Sequence, residues 1–239
     1  TIKLPESVKT IEKDAFSNSG LISIEIPKNI VKISEYLFAL CMSLESVVFL
    51  GNNVKTIEGY VFLYCTSLQK IELPQSLETV DSAVFQFSGI ISITIPEKVS
   101  IIGNYMFDSC SNLRTVTVHG NINEIGSYSF ASCPNLESIT FFGEVEYIST
   151  YAFDYSSNLQ VVNYFGTTNP IIESNSFTDV NIAKVFVTGN YLDNNWCGFS
   201  IDVVLSITFT PSNIFTSSNA FTSSKSFTPS KLFTSSNAF

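Results

Sequence analysis

A phenylalanine returns along this chain as Phe16, Phe38, Phe62, Phe85, Phe107, Phe130, Phe153 and Phe177, in steps of 22 to 24 residues. Five residues before each stands a branched aliphatic: Ile11, Ile33, Ile57, Val80, Ile102, Ile125, Ile148 and Ile172. Five or six residues after each comes Leu or Ile: Leu21, Leu44, Leu68, Ile90, Leu113, Leu136, Leu159 and Ile182. Eight copies in one register settle the architecture before any chemistry is considered.

The pattern of one unit dictates its local structure. The last Leu or Ile opens an L-x-x-I-x-I run, as in Leu21, Ile24 and Ile26, whose final two apolar residues share one face of a β-strand. A breaker follows: Pro directly after (Pro5, Pro27, Pro74, Pro96) or Gly two residues on (Gly51, Gly120, Gly143, Gly166, Gly189). Pro removes a ladder donor and Gly permits a sharp turn, so both stop the strand in one place. A second aliphatic pair follows, such as Val54 and Ile57, and the Phe then plugs the coil from a helical or irregular turn. No 23-residue unit buries its own apolar face. Stacked at about 4.8 Å, the units make one continuous core.

The pattern L-x-x-I-x-L-P…I-x-x-x-A-F-x-x-C-x-x-L resembles the leucine-rich repeat of the BspA-like surface antigens of bacteria and parasitic protists. It is carried by "LQKIELPQSLETV", "IEKDAFSNSGL", "CPNLESITFFG" and "IGSYSFASC", and it covers residues 1 to about 188. The departures are that Ala precedes Phe only at Ala15 and Ala152, and that Cys is missing from half the units. The fold expected is an α/β repeat protein: a right-handed leucine-rich-repeat solenoid of about eight 22–24-residue coils. Its parallel sheet is concave, and its convex side mostly irregular or short-helical. The resemblance implies a non-enzymatic, surface-displayed adhesion or recognition protein, at the cell surface or extracellular, with a cytoplasmic place left open. Its partner would be protein or glycan, on a host surface or in extracellular matrix.

Composition narrows the partners. Charged residues are 14% of the chain and the net charge is −9, which argues against nucleic acid, whose phosphates need a basic stripe. No run of about 18 apolar residues exists to span a bilayer. The chain opens "TIKLPESVKT", inside a repeat, so it reads as a fragment and its lack of a signal peptide decides nothing. Twenty asparagines include no N-x-Ser/Thr sequon, which counts mildly against heavy N-glycosylation.

Cys41, Cys65, Cys110 and Cys133 all stand three residues after the repeat Phe, where the other units have Ser19, Ser88, Ser156 and Val180. A slot accepting Cys, Ser or Val wants a small buried side chain. Thiols on adjacent coils fall within bonding range, but their Cβ atoms should run parallel, so reduced thiols are expected. A ladder spreads ligands along a line, so no metal and no cofactor is expected. His119 is the single histidine, and no Ser or Cys beside it recurs with an orienting carboxylate; no enzyme is expected.

Two stripes are candidates for binding. Outward residues of the long strands are Ser92 and Thr94, Thr115 and Thr117, then Ser138 and Thr140. Towards the N-terminus this row includes Glu25, Lys70 and Glu72, and towards the C-terminus Val161, Asn163, Lys184 and Phe186. Short hydroxyls suit a broad, weak contact, and equally suit a solvated sheet through cross-strand pairs. The second stripe is Tyr36, Tyr60, Tyr105, Tyr128 and Tyr151, each two residues before the repeat Phe. Either the rings pack on their neighbours, or they form a binding surface.

Three segments are expected: a solenoid over 1–188, a C-terminal cap over 189–207 carrying Tyr191, Trp196 and Phe199, and a tail over 208–239. In the tail Phe209, Phe215, Phe221, Phe227, Phe233 and Phe239 are six apart in a Ser/Thr-rich repeat. It reads as disordered or loosely ordered, or as a hexapeptide β-coil. Two functions remain in competition: a surface recognition module, and an intracellular scaffold whose Phe tail self-associates.

Overall fold

A computed structural model describes residues 2–205 of the chain; the expected 208–239 tail lies outside the described residues, as do 206 and 207 of the expected cap. The chain winds as a β-solenoid of stacked coils. Most coils contribute a long strand of parallel sheet and a two-residue strand in a second, narrow parallel sheet. The long strands are Ser23–Ile26, Ser46–Phe49, Ser92–Ile95, Thr115–Val118, Ser138–Phe141, Val161–Tyr164 and Lys184–Thr188. Residues pair one coil apart, as in Ile24 with Val47 and Val116 with Ile139. Alternation does the rest: Ile24, Ile26, Val116, Val118 and Ile139 point inward and are buried.

The expected single sheet is broken once. Gln69–Glu72 keeps the alternation, with Ile71 buried between exposed Lys70 and Glu72, but it is not a strand. The long strands therefore divide between a three-stranded sheet, completed by Ile2–Lys3, and a seven-stranded sheet, completed by Asn195–Trp196 and Phe199–Leu205. Nothing in the structure explains the break. The narrow sheets run through Lys32–Ile33, Thr56–Ile57 and Thr79–Val80, then Ile101–Ile102, Glu124–Ile125, Tyr147–Ile148 and Ile171–Ile172. They hold the aliphatic five residues before the Phe in every repeat except the first, whose Ile11 is in no strand.

Of the two alternatives expected for the third side, irregular or short-helical, the helical one is corrected, and with it the α/β class. Among the described residues there is no helix. The eight repeat Phe rings form one ladder, neighbours lying 4.9 to 5.7 Å apart and nearly parallel. Packed helices need about 8–10 Å between axes, so a coil spacing of this size leaves no room for them. Tight turns take their place. The Phe16 N–H donates to the Leu37 carbonyl of the next coil at 3.1 Å and that of Asn18 to Ala39 at 2.7 Å, while that of Ser17 turns back to Asp14. The two cross-coil bonds recur at all seven steps, ending with Phe153 to Ser176 and Tyr155 to Thr178.

This geometry has a conformational cost. The residues two before and two after every repeat Phe have positive φ, from Asp14 and Asn18 to Asn175 and Asp179. A non-glycine residue there costs about 1–2 kcal/mol, which the cross-coil bonds and ring stacking must offset. A coil apolar only on its inner side predicts that every repeat Phe and Ile is buried; six of the Phe rings are, but Phe16 and Phe177, in the end coils, are only partly so, and Ile172 is 42% exposed. An end coil has a neighbour on one side only.

The glycines after the strands also act differently from expectation. Among the described glycines only Gly198 has positive φ. Gly120 instead permits close approach: a Cβ built on it would overlap the carbonyl of Glu97 in the preceding coil. Beyond Thr188, Asn195–Trp196 and Phe199–Leu205 form a hairpin whose two-residue loop, Cys197 and Gly198, has positive φ at both positions, the signature of a type I′ turn. The second strand of the hairpin adds in parallel to Lys184–Thr188, and Trp196 is fully buried against Tyr164 and Phe177.

Candidate functional site

Strand register places the hydroxyls in two straight rows. Ser92, Thr115 and Ser138 face one another across three strands, and Thr94, Thr117 and Thr140 do the same two residues along. Ser92, Thr94 and Thr115 are exposed, the other three half-buried. The rows continue as Val161 with Lys184 and Asn163 with Phe186. The Asn163 amide donates to the Thr140 hydroxyl at 3.1 Å, so part of the row is spent on its own neighbours. Towards the other end Lys70 and Glu72 pair with each other at 3.2 Å, and Glu25 stands beside exposed Val48.

A third row was missed. The alternation runs one step past each strand, because the backbone ladder does: His119 N–H donates to the Ile95 carbonyl and Phe142 N–H to Val118. His119, Phe142 and Phe165 thereby continue the outward set, stacked with centroids 5.1 Å apart. The signal was available: each stands two residues after Thr117, Thr140 or Asn163. The outward face in these coils thus pairs hydroxyl rows with an aromatic rim. Partial burial lowers the His119 pKa, opposed by the Glu97 carboxylate, which favours a neutral imidazole as a stacking group at pH 7.

The tyrosines divide into two groups. Tyr36 stacks on Tyr60 at 4.7 Å, and Tyr105, Tyr128 and Tyr151 stack in series at 5.1 Å, with buried Ala83 standing in the coil between the groups. All five have positive φ. Lys13 lies over the Tyr36 ring at 4.9 Å. Only Tyr128 has tyrosine rings on both faces; each of the other four stacks on a single tyrosine.

The thiols are not reactive groups. All five cysteines are free and buried. Burial pushes the Cys110 pKa up to about 12 and raises those of Cys65, Cys133 and Cys197 well above a free thiol. Their role is a hydrogen bond. The Cys41 thiol donates to the Phe16 carbonyl of the preceding coil at 2.9 Å, Cys65 to Phe38, Cys110 to Phe85 and Cys133 to Phe107. Ser156 does the same to Phe130 at 2.6 Å. In these five coils the slot is therefore a small donor position, a more specific demand than the small buried one expected, whereas Ser88 meets the Cys110 sulfur instead and Val180 has no side-chain donor. Among the described residues no group of three or more His, Cys, Asp or Glu could hold a metal ion, and no helix is long and apolar enough to cross a membrane. The exposed rows are equipped for reversible hydrogen bonding and aromatic contact.

The sequence profile of the BspA type leucine rich repeat region matches the chain in 6 copies, over residues 1–89, 41–160 and 79–200. No curated protein matches it significantly. Among solved structures it is similar to a leucine rich repeat protein of T. pallidum, with a TM-score of 0.58 at 21% identity, over 65% of this chain and 76% of that one. It is similar also to a leucine-rich repeat protein of Bacteroides ovatus, with a TM-score of 0.58 at 20% identity, and it spans 66% of that chain with 85% of its own. A leucine-rich repeat protein of Eubacterium ventriosum gives 0.50 at 18% identity, over 90% of this chain and 67% of that one. At these identities the likeness to the solved structures is one of fold.

Proposed function

The chain belongs to the BspA-type leucine-rich repeat family, and from that premise we propose that it is a non-catalytic recognition module, displayed at the cell surface, that binds protein or glycan through the outward face of its long strands. The family's fold is one typically used for binding. The observation that carries the choice of face is the register of Ser92, Thr115 and Ser138 beside Thr94, Thr117 and Thr140, with the His119, Phe142 and Phe165 rim alongside. Short side chains lose little entropy when ordered, and aromatics add contact area at two χ angles each. On this reading residues 189–207 close the solenoid and the tail beyond is a separate segment. The experiment is the triple substitution of Thr94, Thr117 and Thr140 by Lys, with binding to host cells and immobilised matrix measured. Loss of binding with the fold intact is expected; unchanged binding removes this face and moves the site to the tyrosine stripe. Staining of intact against permeabilised cells tests the placement, and signal only after permeabilisation favours an intracellular scaffold.

A further inference from the structure

At each of the seven coil-to-coil steps, the N–H of the repeat Phe and the N–H two residues on are taken up by carbonyls of the next coil. In the last coil those donors belong to Phe177 and Asp179, and neither bonds any described residue. The hairpin from Asn195 to Leu205 extends the sheet side and leaves this turn open. Beside the two donors lies a hollow of about 310 Å³, lined among others by Ile172, Ser176, Phe177, Thr178, Cys197 and Phe199. Its rim is Ile172, 42% exposed, where the equivalent Ile57, Ile102, Ile125 and Ile148 are wholly buried. Phe177 stacks on Phe153 through one face, and meets Trp196 and Phe199 only edge-on.

We propose that this open turn edge is a second binding site, which docks a basic, phenylalanine-bearing peptide segment of another protein by backbone addition. The required partner is specified by what fills the same position elsewhere. At every earlier step the acceptors are the carbonyls immediately before and after a Phe, as Leu37 and Ala39 flank Phe38, and that Phe stacks on the ladder. A segment x-Phe-x offers both carbonyls to Phe177 and Asp179 while its ring enters the hollow, the same logic by which extended peptides add to sheet edges. Charge selects among such segments. Between residues 115 and 205 nine acids stand against one lysine, Lys184, and Glu173 lines the hollow itself, so basic flanks are favoured. This site is separate from the hydroxyl rows and does not depend on them.

The test titrates the isotopically labelled full chain with the fluorescein-labelled peptide Lys-Asn-Ala-Phe-Ser-Lys. Binding is expected to slow amide exchange at Phe177 and Asp179 at least tenfold and leave Phe153 and Tyr155 unchanged. Replacing the peptide Phe by Ala, or introducing Ile172→Arg at the rim, is expected to weaken binding at least tenfold. Thr178→Arg serves as a second rim variant should Ile172→Arg unfold, and the Thr94, Thr117 and Thr140 triple variant should bind the peptide normally. No detectable binding, binding without protection of those two amides, or equal affinity for the Ala peptide would each overturn the proposal.

Discussion

The cysteine slot shows what a single side chain does here. Recurrence of Cys, Ser and Val at one offset made its small size legible in the sequence. The donor role was not, because a carbonyl one coil earlier is invisible until the coils are stacked. Two substitutions separate the roles. Cys110→Ser keeps a donor, as Ser156 does towards Phe130, and should cost about 1 kcal/mol or less. Cys110→Ala is the more apolar change but removes one of two donors from the buried Phe85 carbonyl, which keeps the Ser88 N–H, and should cost about 0.5–1.5 kcal/mol for the lost bond in addition to the space left by the sulfur. Urea unfolding that ranks Ala at or above Ser would show that the sulfur bond contributes nothing. The positive-φ residues give a second comparison. Tyr128→Gly relieves about 1–2 kcal/mol of backbone strain but removes two ring stacks of about 0.5–1.5 kcal/mol each together with buried ring area. Ser132→Gly relieves similar strain with no ring to lose. Tyr128→Gly should therefore lower stability, and Ser132→Gly should leave it unchanged or raise it.

The elements differ in how openly the sequence announces them. The long strands were legible because four residues suffice to show alternation, and Ser138 to Phe141 shows it in full. The narrow strands were visible only as aliphatic pairs, since two residues such as Thr56 and Ile57 carry no period. The turns were misread because positive φ is advertised by Gly or Asn, whereas this chain puts Tyr at seven of those positions and uses the next coil to hold them. The aromatic rim was overlooked for a related reason: Gly120 and Gly143 were taken to stop the strand, while the ladder in fact runs past it. Glycine marks close approach there. Gly120→Ala should cost several kcal/mol, about what overpacking against fixed backbone costs, because the Glu97 carbonyl cannot move without breaking the coil spacing. Gly20→Ala, with open space around the added methyl, should be neutral within about 0.5 kcal/mol. Equal effects in thermal unfolding would mean that coil spacing is soft and that the glycines are there for another reason.

At the scale of the molecule, one core runs through every coil, and it is lined by ionisable groups that are stable only in their neutral form. The neutral form of a thiol is the protonated one. Cys110 holds its proton to about pH 12 in the folded chain, against 9.0 when free, and Cys65, Cys133 and Cys197 are raised for the same reason, burial. Between those values the unfolded chain binds fewer protons than the folded one, so stability must fall as pH rises. The slope is about 1.4 kcal/mol per pH unit for each such thiol. Four of them acting together would exhaust a total stability of about 5–15 kcal/mol within about one to three pH units above 9. Buried Tyr164 and partly buried Tyr191, also raised by desolvation, add to the slope above pH 10. Salt bridges do not oppose this loss: Lys13–Glu35, Lys32–Glu58 and Lys55–Glu78 are exposed pairs that link adjacent coils and stabilise them little. The urea midpoint should therefore be level from about pH 6 to 8.5 and fall steeply from about pH 9. A variant with Ser at all four positions should hold its midpoint about one pH unit further, until the tyrosines titrate. If that variant follows the parent chain down from pH 9, the thiols are not the cause, and the ladder fails in alkali for a reason that lies outside its core.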